Sequence, residues 1–411
     1  MENIEIKPYK LFNKVRHYEW GTQNQDAFIP NFLGIEAQNE LPYAELWIGA
    51  HPSAPSEIEV RGEKLPLYLI IENFTAEFLG HYVSEKFNGK FPFLLKVLSA
   101  AHALSIQTHP NKNQAAVLHN SDPVNYPDDN HKPEIAIAID SLTAIAGFRP
   151  AAEIATNLYN YPELYEFAED NLSEKIPACT DKEELNSMIK DLYAQIMRQS
   201  GNAELVAKVI EQMRLKITSK KMLSIEEEQF LIQYSHYGVD VGLISFFFFN
   251  MVQLKPGQAI FTDAGVPHAY IKGNIIECMA NSDNVVRAGL TNKFKDVKTL
   301  LQILKYDFSP CEIINQEQQP DEYSYHTAAS EFEVSIYTKK AGFRKDFSSG
   351  NKPAIFLIMK GSVEVKYKKN EIQASEVFSK GDTFLIPAAL EEFSVFCTEE
   401  ASFYQIEIPH A

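Results

Sequence analysis

The hydrophobic period changes twice along the 411-residue chain, and those changes fix what it can fold into. Up to Arg149, and again from Val239, apolar residues come in short runs or alternation broken by Gly, Pro and Asn. Between these stretches, residues such as Leu185, Ile189, Leu192 and Ile196 recur at helical spacing. A period of two lines one face of a strand and a period of 3.6 one face of a helix, so one element type cannot serve both. The spacing predicts helices over 151–167, 181–198, 202–215 and 224–235. Thr180 with Glu183, and Ser224 with Glu227, fit the capping-box pattern that satisfies orphan backbone donors at a helix start. An all-helical insert is therefore expected between about Pro150 and Tyr237.

The flanks predict strands at 44–48, 67–71, 93–98, 103–107 and 134–144, with one helix over 75–86 and Thr75 as its N-cap. The most apolar run, 241–252, is well short of the ~20 residues a membrane span needs, and reads as a doubly buried strand. A short helix is expected over 296–304, and strands return at 331–337 and onward to 403–408. Many short strands with punctuating turns indicate sandwiches or barrels. The stretch 379–388 is a shortened copy of 255–268, with Ala388 where the first copy has His268. Two related β-barrels follow from this, the second without a metal site.

A net charge of −17 argues against nucleic acid or an anionic membrane as partner, since both reward excess Lys and Arg. The four cysteines, Cys179, Cys278, Cys311 and Cys397, form no Cys-x-x-Cys pair. Neither a thiolate metal site nor a disulfide framework is indicated, and a reducing cytoplasm fits. The first residues lack the apolar core of a signal peptide.

Chemistry concentrates in three places. In Leu104-Ser105-Ile106-Gln107-Thr108-His109-Pro110, alternation points Gln107 and His109 the same way. Glu134 opens a strand after Asn130-His131-Lys132-Pro133, and His268 follows the turn Gly265-Val266-Pro267. Each has an ordinary alternative: His109 as a turn cap, Glu134 as a solvated carboxylate. Together, Gln107, His109, Glu134 and His268 form an N₂O₂ set suited to Zn²⁺ or another first-row divalent ion. Lys96 within Phe93-Leu94-Leu95-Lys96-Val97-Leu98 is costly to bury unless it is paired or faces a polar cavity, where it could bind an anion. Arg287, Lys293 and Lys132 read either as surface charge or as part of such a cleft.

Six motifs carry a resemblance. They are Tyr18-Glu19-Trp20-Gly21, the run from Ala44-Glu45-Leu46-Trp47-Ile48-Gly49 to His51-Pro52-Ser53, 103–110, Asn130-His131-Lys132-Pro133-Glu134, Gly265-Val266-Pro267-His268-Ala269-Tyr270 and Asp283-Asn284-Val285-Val286-Arg287-Ala288-Gly289. Together they resemble the type I phosphomannose isomerases, also called mannose-6-phosphate isomerases. The resemblance implies a mainly β fold of two cupin-like, jelly-roll barrels plus an all-α domain. Its parts would be a discontinuous catalytic barrel of 1–150 and 238–309, a helical insert of 151–237 and a metal-free C-terminal barrel of 310–411. It implies one Zn²⁺ on Gln107, His109, Glu134 and His268, and interconversion of mannose 6-phosphate and fructose 6-phosphate through a cis-enediol. Arg287, Lys132, His131 and Asp283 would be catalytic, and Lys96, Ser105, Tyr270 and Lys293 would bind substrate. The proton carrier stays open among His131, Lys132, Asp283 and a water at the metal. A cytoplasmic monomer acting on a phosphorylated hexose in mannose metabolism and GDP-mannose biosynthesis is expected. Competing readings are another cupin, such as an iron-dependent oxygenase, and a non-catalytic sugar-binding protein.

Overall fold

The structure, a computed structural model, describes residues 4–169, 171–314, 321–369 and 372–409. Its organising element is the long strand His268–Ala280, which belongs to two sheet layers at once. The second half pairs antiparallel with Glu134–Ala138 and Phe93–Ala100; the first half pairs with Leu142–Phe148 and Ile106–Thr108. Between the halves stands Gly273 at φ +131°, where an added Cβ would lie 2.6 Å from the Ser141 carbonyl oxygen. Only glycine fits such a corner. The neighbouring ribbon bends at the same level, between its strands Glu134–Ala138 and Leu142–Phe148. Folding the ribbon at its middle lays its two ends over each other. Glu134 pairs with Met279 at one end and His268 with Ala146 at the other, yet the Glu134 and His268 side chains meet at 2.7 Å.

Alternation then sorts every side chain. Leu98, Ala136, Ala144, Val252, Tyr270 and Ile275 face inward and share one core between the layers. The outward residues of the first layer, including Ile135, Ile137 and Ile276, pack with Ile355, Leu385 and Tyr404 from the C-terminal strands. Those of the second layer, including Ile145, Phe148 and Ile271, pack against the helices through Ile189, Leu192 and Phe230. Both layers are covered on both faces, which is why the central strands read as near-continuous apolar runs. The last hundred residues form a six-stranded and a four-stranded sheet around their own core. Tyr9–Lys10 pairs into the six-stranded sheet beside Thr383–Ile386, tying the N-terminal stretch to the C-terminal one.

Helices occupy Ala151–Asn160, Leu172–Ala178, Lys182–Arg198, Ala203–Thr218 and Ile225–Tyr237, with a 3₁₀ turn at Pro162–Phe167. The Ser224–Glu227 capping box forms as expected. Thr180 does not cap; Asp181, one residue later, accepts from the Glu184 N–H at 2.8 Å, and its carboxylate is the stronger acceptor at a positive helix end. Helix and strand are nearly equal, about 30% and 32%, so the fold is mixed rather than mainly β. Helices outside the insert account for the difference. The expected strand 67–71 is the helix Leu67–Asn73, because a short apolar run has no period to distinguish the two. Thr75 lies inside its helix, and its hydroxyl donates to the Ile71 carbonyl. The run 241–252 divides into a 3₁₀ turn, Val241–Phe247, and a strand, Phe249–Leu254. Asp240 forces the turn by accepting from the Gly242 and Leu290 N–H groups at 2.7 and 2.8 Å. The expected strand 134–144 is two strands around the corner described above.

Candidate active site

His268 is delivered by the turn before it. Gly265 has φ +81°, an added Cβ there would lie 2.5 Å from the Ile303 carbonyl oxygen, and its N–H donates to the His109 carbonyl at 2.9 Å. One glycine thus ties the backbones of both histidines together. Gly265→Ala is expected to cost about 1–3 kcal/mol of stability through backbone strain. A thermal melt checks this, and a melt unchanged from the parent protein would contradict the turn's role.

His109, Glu134 and His268 are all buried, and their donor atoms lie within 4.8 Å of one another. His109 Nε2 is 3.5 Å and His268 Nε2 2.7 Å from the Glu134 carboxylate. On the far side of each ring, Nδ1 meets a backbone carbonyl: Asn284 O at 2.7 Å for His109, and Val266 O at 3.0 Å for His268. A carbonyl only accepts, so each Nδ1 is the donor and each Nε2 is left pointing inward, free to offer its lone pair to a metal. Burial and the Lys132 ammonium push the His109 imidazole down to about 4, so that ring is neutral near pH 7. Burial favours the protonated form of Glu134, but the neighbouring Lys132 ammonium outweighs it and the carboxyl is held well below its usual range. Three acceptors therefore converge, and among the described residues His109 Nε2, His268 Nε2 and Glu134 Oε2 have no hydrogen bond. Unsatisfied buried acceptors facing each other are what a cation resolves, and carbonyl-oriented imidazoles are the usual support of such a site. Gln107 joins by register: it sits directly across from His268 on one side and Arg287 on the other, so all three share the inner face.

The remaining expected residues fall at varied distances from this point. Lys132 Nζ lies 3.3 Å from Glu134 Oε2, and the Tyr270 hydroxyl donates to Glu134 Oε1 at 3.3 Å. Arg287 is half-buried on the inner face and has no ion pair among the described residues. Lys96 is buried, 2.9 Å from Glu277 and 3.8 Å from Glu45. Burial opposes its charge, but the two carboxylates more than compensate and hold its pKa up. Asp283 lies 3.3 Å from His51. Burial favours its neutral form, and the His51 contact overrides that and keeps its pKa low. His131 turns away from Lys132, with Nε2 2.7 Å from Glu331. Lys293 is exposed, 5.7 Å from the centre of the Tyr18 ring, and Ser105 is half-buried just before the Gln107 strand.

Sequence reasoning missed Glu277, Glu45 and Glu331. Glu277 had a signal: it interrupts an apolar strand, as Lys96 does, and the two are paired across the sheet. Burial among other carboxylates raises its pKa. Glu45, Glu134 and Glu277 thus stand against Lys96 and Lys132 on one buried wall.

Geometry alone defines a mixed fold of layered antiparallel sheets with a buried three-residue group that could hold a metal ion, and comparison with known proteins narrows that class. A profile of the phosphomannose isomerase type I catalytic domain matches residues 9–151. Mannose-6-phosphate isomerase 2 of Arabidopsis thaliana is 35% identical over 404 residues, covering 94% of this chain and 90% of the relative. The mannose-6-phosphate isomerase of Bos taurus is 39% identical over 313 residues, 72% of each chain. Among solved structures, a point mutant of phosphomannose isomerase from Salmonella typhimurium aligns with TM-score 0.85 and 28% identity, covering 98% of this chain and 99% of that one. A mannose 6-phosphate isomerase bound with zinc and yttrium aligns with TM-score 0.84 and 28% identity, covering 98% and 100%. The chain belongs to the mannose-6-phosphate isomerase family and is an isomerase.

Proposed function

We propose that this chain interconverts mannose 6-phosphate and fructose 6-phosphate, with a zinc ion held by His109, Glu134, His268 and Gln107. The observation that carries the reading is the three orphaned buried acceptors, a donor set that fits zinc. The names of the relatives supply the reaction, and the zinc-bound structural neighbour supports the metal.

Aldose to ketose conversion moves a proton between C1 and C2, and the cost is negative charge developing on O1 and O2. Zinc, when bound, supplies Lewis-acid polarisation there. Arg287 offers a guanidinium not committed to an ion pair, preorganised on the same face as Gln107 and His268, to stabilise the enediolate. The carrier must hold and return a proton near neutral pH. Glu277 fits best, because it is buried on the strand that carries His268 and burial raises its proton affinity; Lys132 is the second candidate. His131 and Asp283 are engaged by Glu331 and His51. Lys96 serves to hold Glu277 and Glu45 in place, since two carboxylates already answer its charge. Lys293, exposed, and Ser105, half-buried, bind the phosphate in this reading. The two sheet pairs are read as cupin-like barrels, with 151–237 as insert and 310–411 as second barrel. A cytoplasmic monomer completes the proposal; all four cysteines are free thiols and, among the described residues, no helix is long and apolar enough to cross a membrane.

A hydrogen bond to a charged group is worth about 1.5–3 kcal/mol, and at least two are lost with the phosphate. Unphosphorylated mannose is therefore expected to turn over at least about 100-fold more slowly than its 6-phosphate in a ketose-coupled assay. Equal rates on the two sugars would overturn the phosphate contacts, and no fructose 6-phosphate from the phosphorylated sugar would overturn the reaction.

A further inference from the structure

The second sheet pair reaches the site through one buried carboxylate. Glu331 is 5% exposed, and its Oε1 accepts from His131 Nε2 at 2.7 Å while its Oε2 accepts from the Ser330 N–H at 3.0 Å. Its neighbours are fixed: Ala329 and Phe332 are buried in the same core as Ile135 and Ile137, and Lys86 donates to the Ser330 carbonyl at 3.3 Å. The carboxylate therefore has a set position relative to the strand that carries Glu134. His131 in turn lies just ahead of the strand Glu134–Ala138, and its side chain and that of Lys132 part to different partners. Lys132 faces inward to Glu134 at 3.3 Å while His131 faces Glu331. The other side of this segment is held at Asn130, whose Nδ2 donates to the Asn281 carbonyl at 3.1 Å and whose own carbonyl accepts from Asn284 Nδ2 at 2.9 Å. Among the described residues, Glu331 is the one hydrogen-bond partner of the His131 ring.

We propose that Glu331 is a positioning residue: by gripping His131 it fixes the segment 130–133 and hence the Lys132 ammonium against the site. This gives the C-terminal sheets a part in the reaction. It acts through residues of the isomerase reading and rests on that reading. A buried carboxylate with one imidazole and one N–H as partners stabilises a fold little compared with an apolar side chain, so its value lies in where it holds the ring.

The test uses the full-length, zinc-loaded protein with Glu331→Ala, Glu331→Gln, His131→Ala and the double variant Glu331→Ala/His131→Ala. Glu331→Ala is expected to lower kcat about tenfold with KM and zinc content nearly unchanged, as for other residues that orient a site from behind it. Glu331→Gln recovers most of the loss, because its amide oxygen still accepts from His131. The double variant is no slower than His131→Ala. Amide exchange in 130–133 rises in Glu331→Ala whether or not the protein turns over sugar, which separates this proposal from the isomerase reading. Unchanged exchange in that segment, an additive double variant, or a Glu331→Gln variant as impaired as Glu331→Ala would each overturn it. A parent protein without turnover but with the exchange response would instead sink the isomerase reading alone.

Discussion

His268→Ala is expected to empty the metal site and lower turnover by more than about 100-fold, given that even outer-lying partners of metal ligands cost 10–100-fold. The ring supplies one of the three bare acceptors and has its other nitrogen on the Val266 carbonyl, 3.0 Å away. Removing it leaves Glu134 with the Lys132 and Tyr270 contacts, both of which compete with a metal rather than bind one. The fold survives, because the strand that carries residue 268 is held by pairing on both sides. Elemental analysis and a kcat measurement on the purified variant check this. Full metal content would show that the ligands are elsewhere.

Arg287→Ala is expected to do the opposite with respect to metal: zinc stays, and kcat falls about 10²–10³-fold, the usual cost of one preorganised donor to developing negative charge. The guanidinium is half-buried, without an ion pair among the described residues, and opposite Gln107. It neither closes the coordination sphere nor holds a strand. Because its contact strengthens as charge develops, KM changes less than kcat. Arg287→Lys recovers little, since a point charge does not reproduce a planar fork. A variant with normal kcat and a raised KM would move Arg287 from the reacting carbons to the phosphate.

What could be read without the fold is uneven, for physical reasons. The helices of 151–237 are legible because a 3.6 period persists over many turns, and Ser224 with Glu227 marks a start by local hydrogen bonding alone. His109, Glu134 and His268 are legible because each stands beside a turn or at a strand end, where a polar residue in an apolar run needs a reason. The helix Leu67–Asn73 is not, since five apolar residues fit either element. Glu277 interrupts an apolar strand and could have been singled out, but its role, like that of Glu331, could not be read locally. Their meaning lies in partners, Lys96 and His131, placed by sheet register and layer packing that no local pattern encodes. The same holds for Lys96, whose burial was legible but whose answering carboxylates, Glu45 and Glu277, were not. The helix Lys112–Ser121 had its own cap, Asn111 with Gln114, and was overlooked although that box is a sequence signal.

The most direct measurement is the metal content of the purified protein, taken with the isomerase assay before chelation, after it, and after zinc is restored. The account predicts bound zinc near one equivalent per chain, activity lost with the metal and regained with it. A metal-free protein that still converts mannose 6-phosphate at the original rate would contradict it.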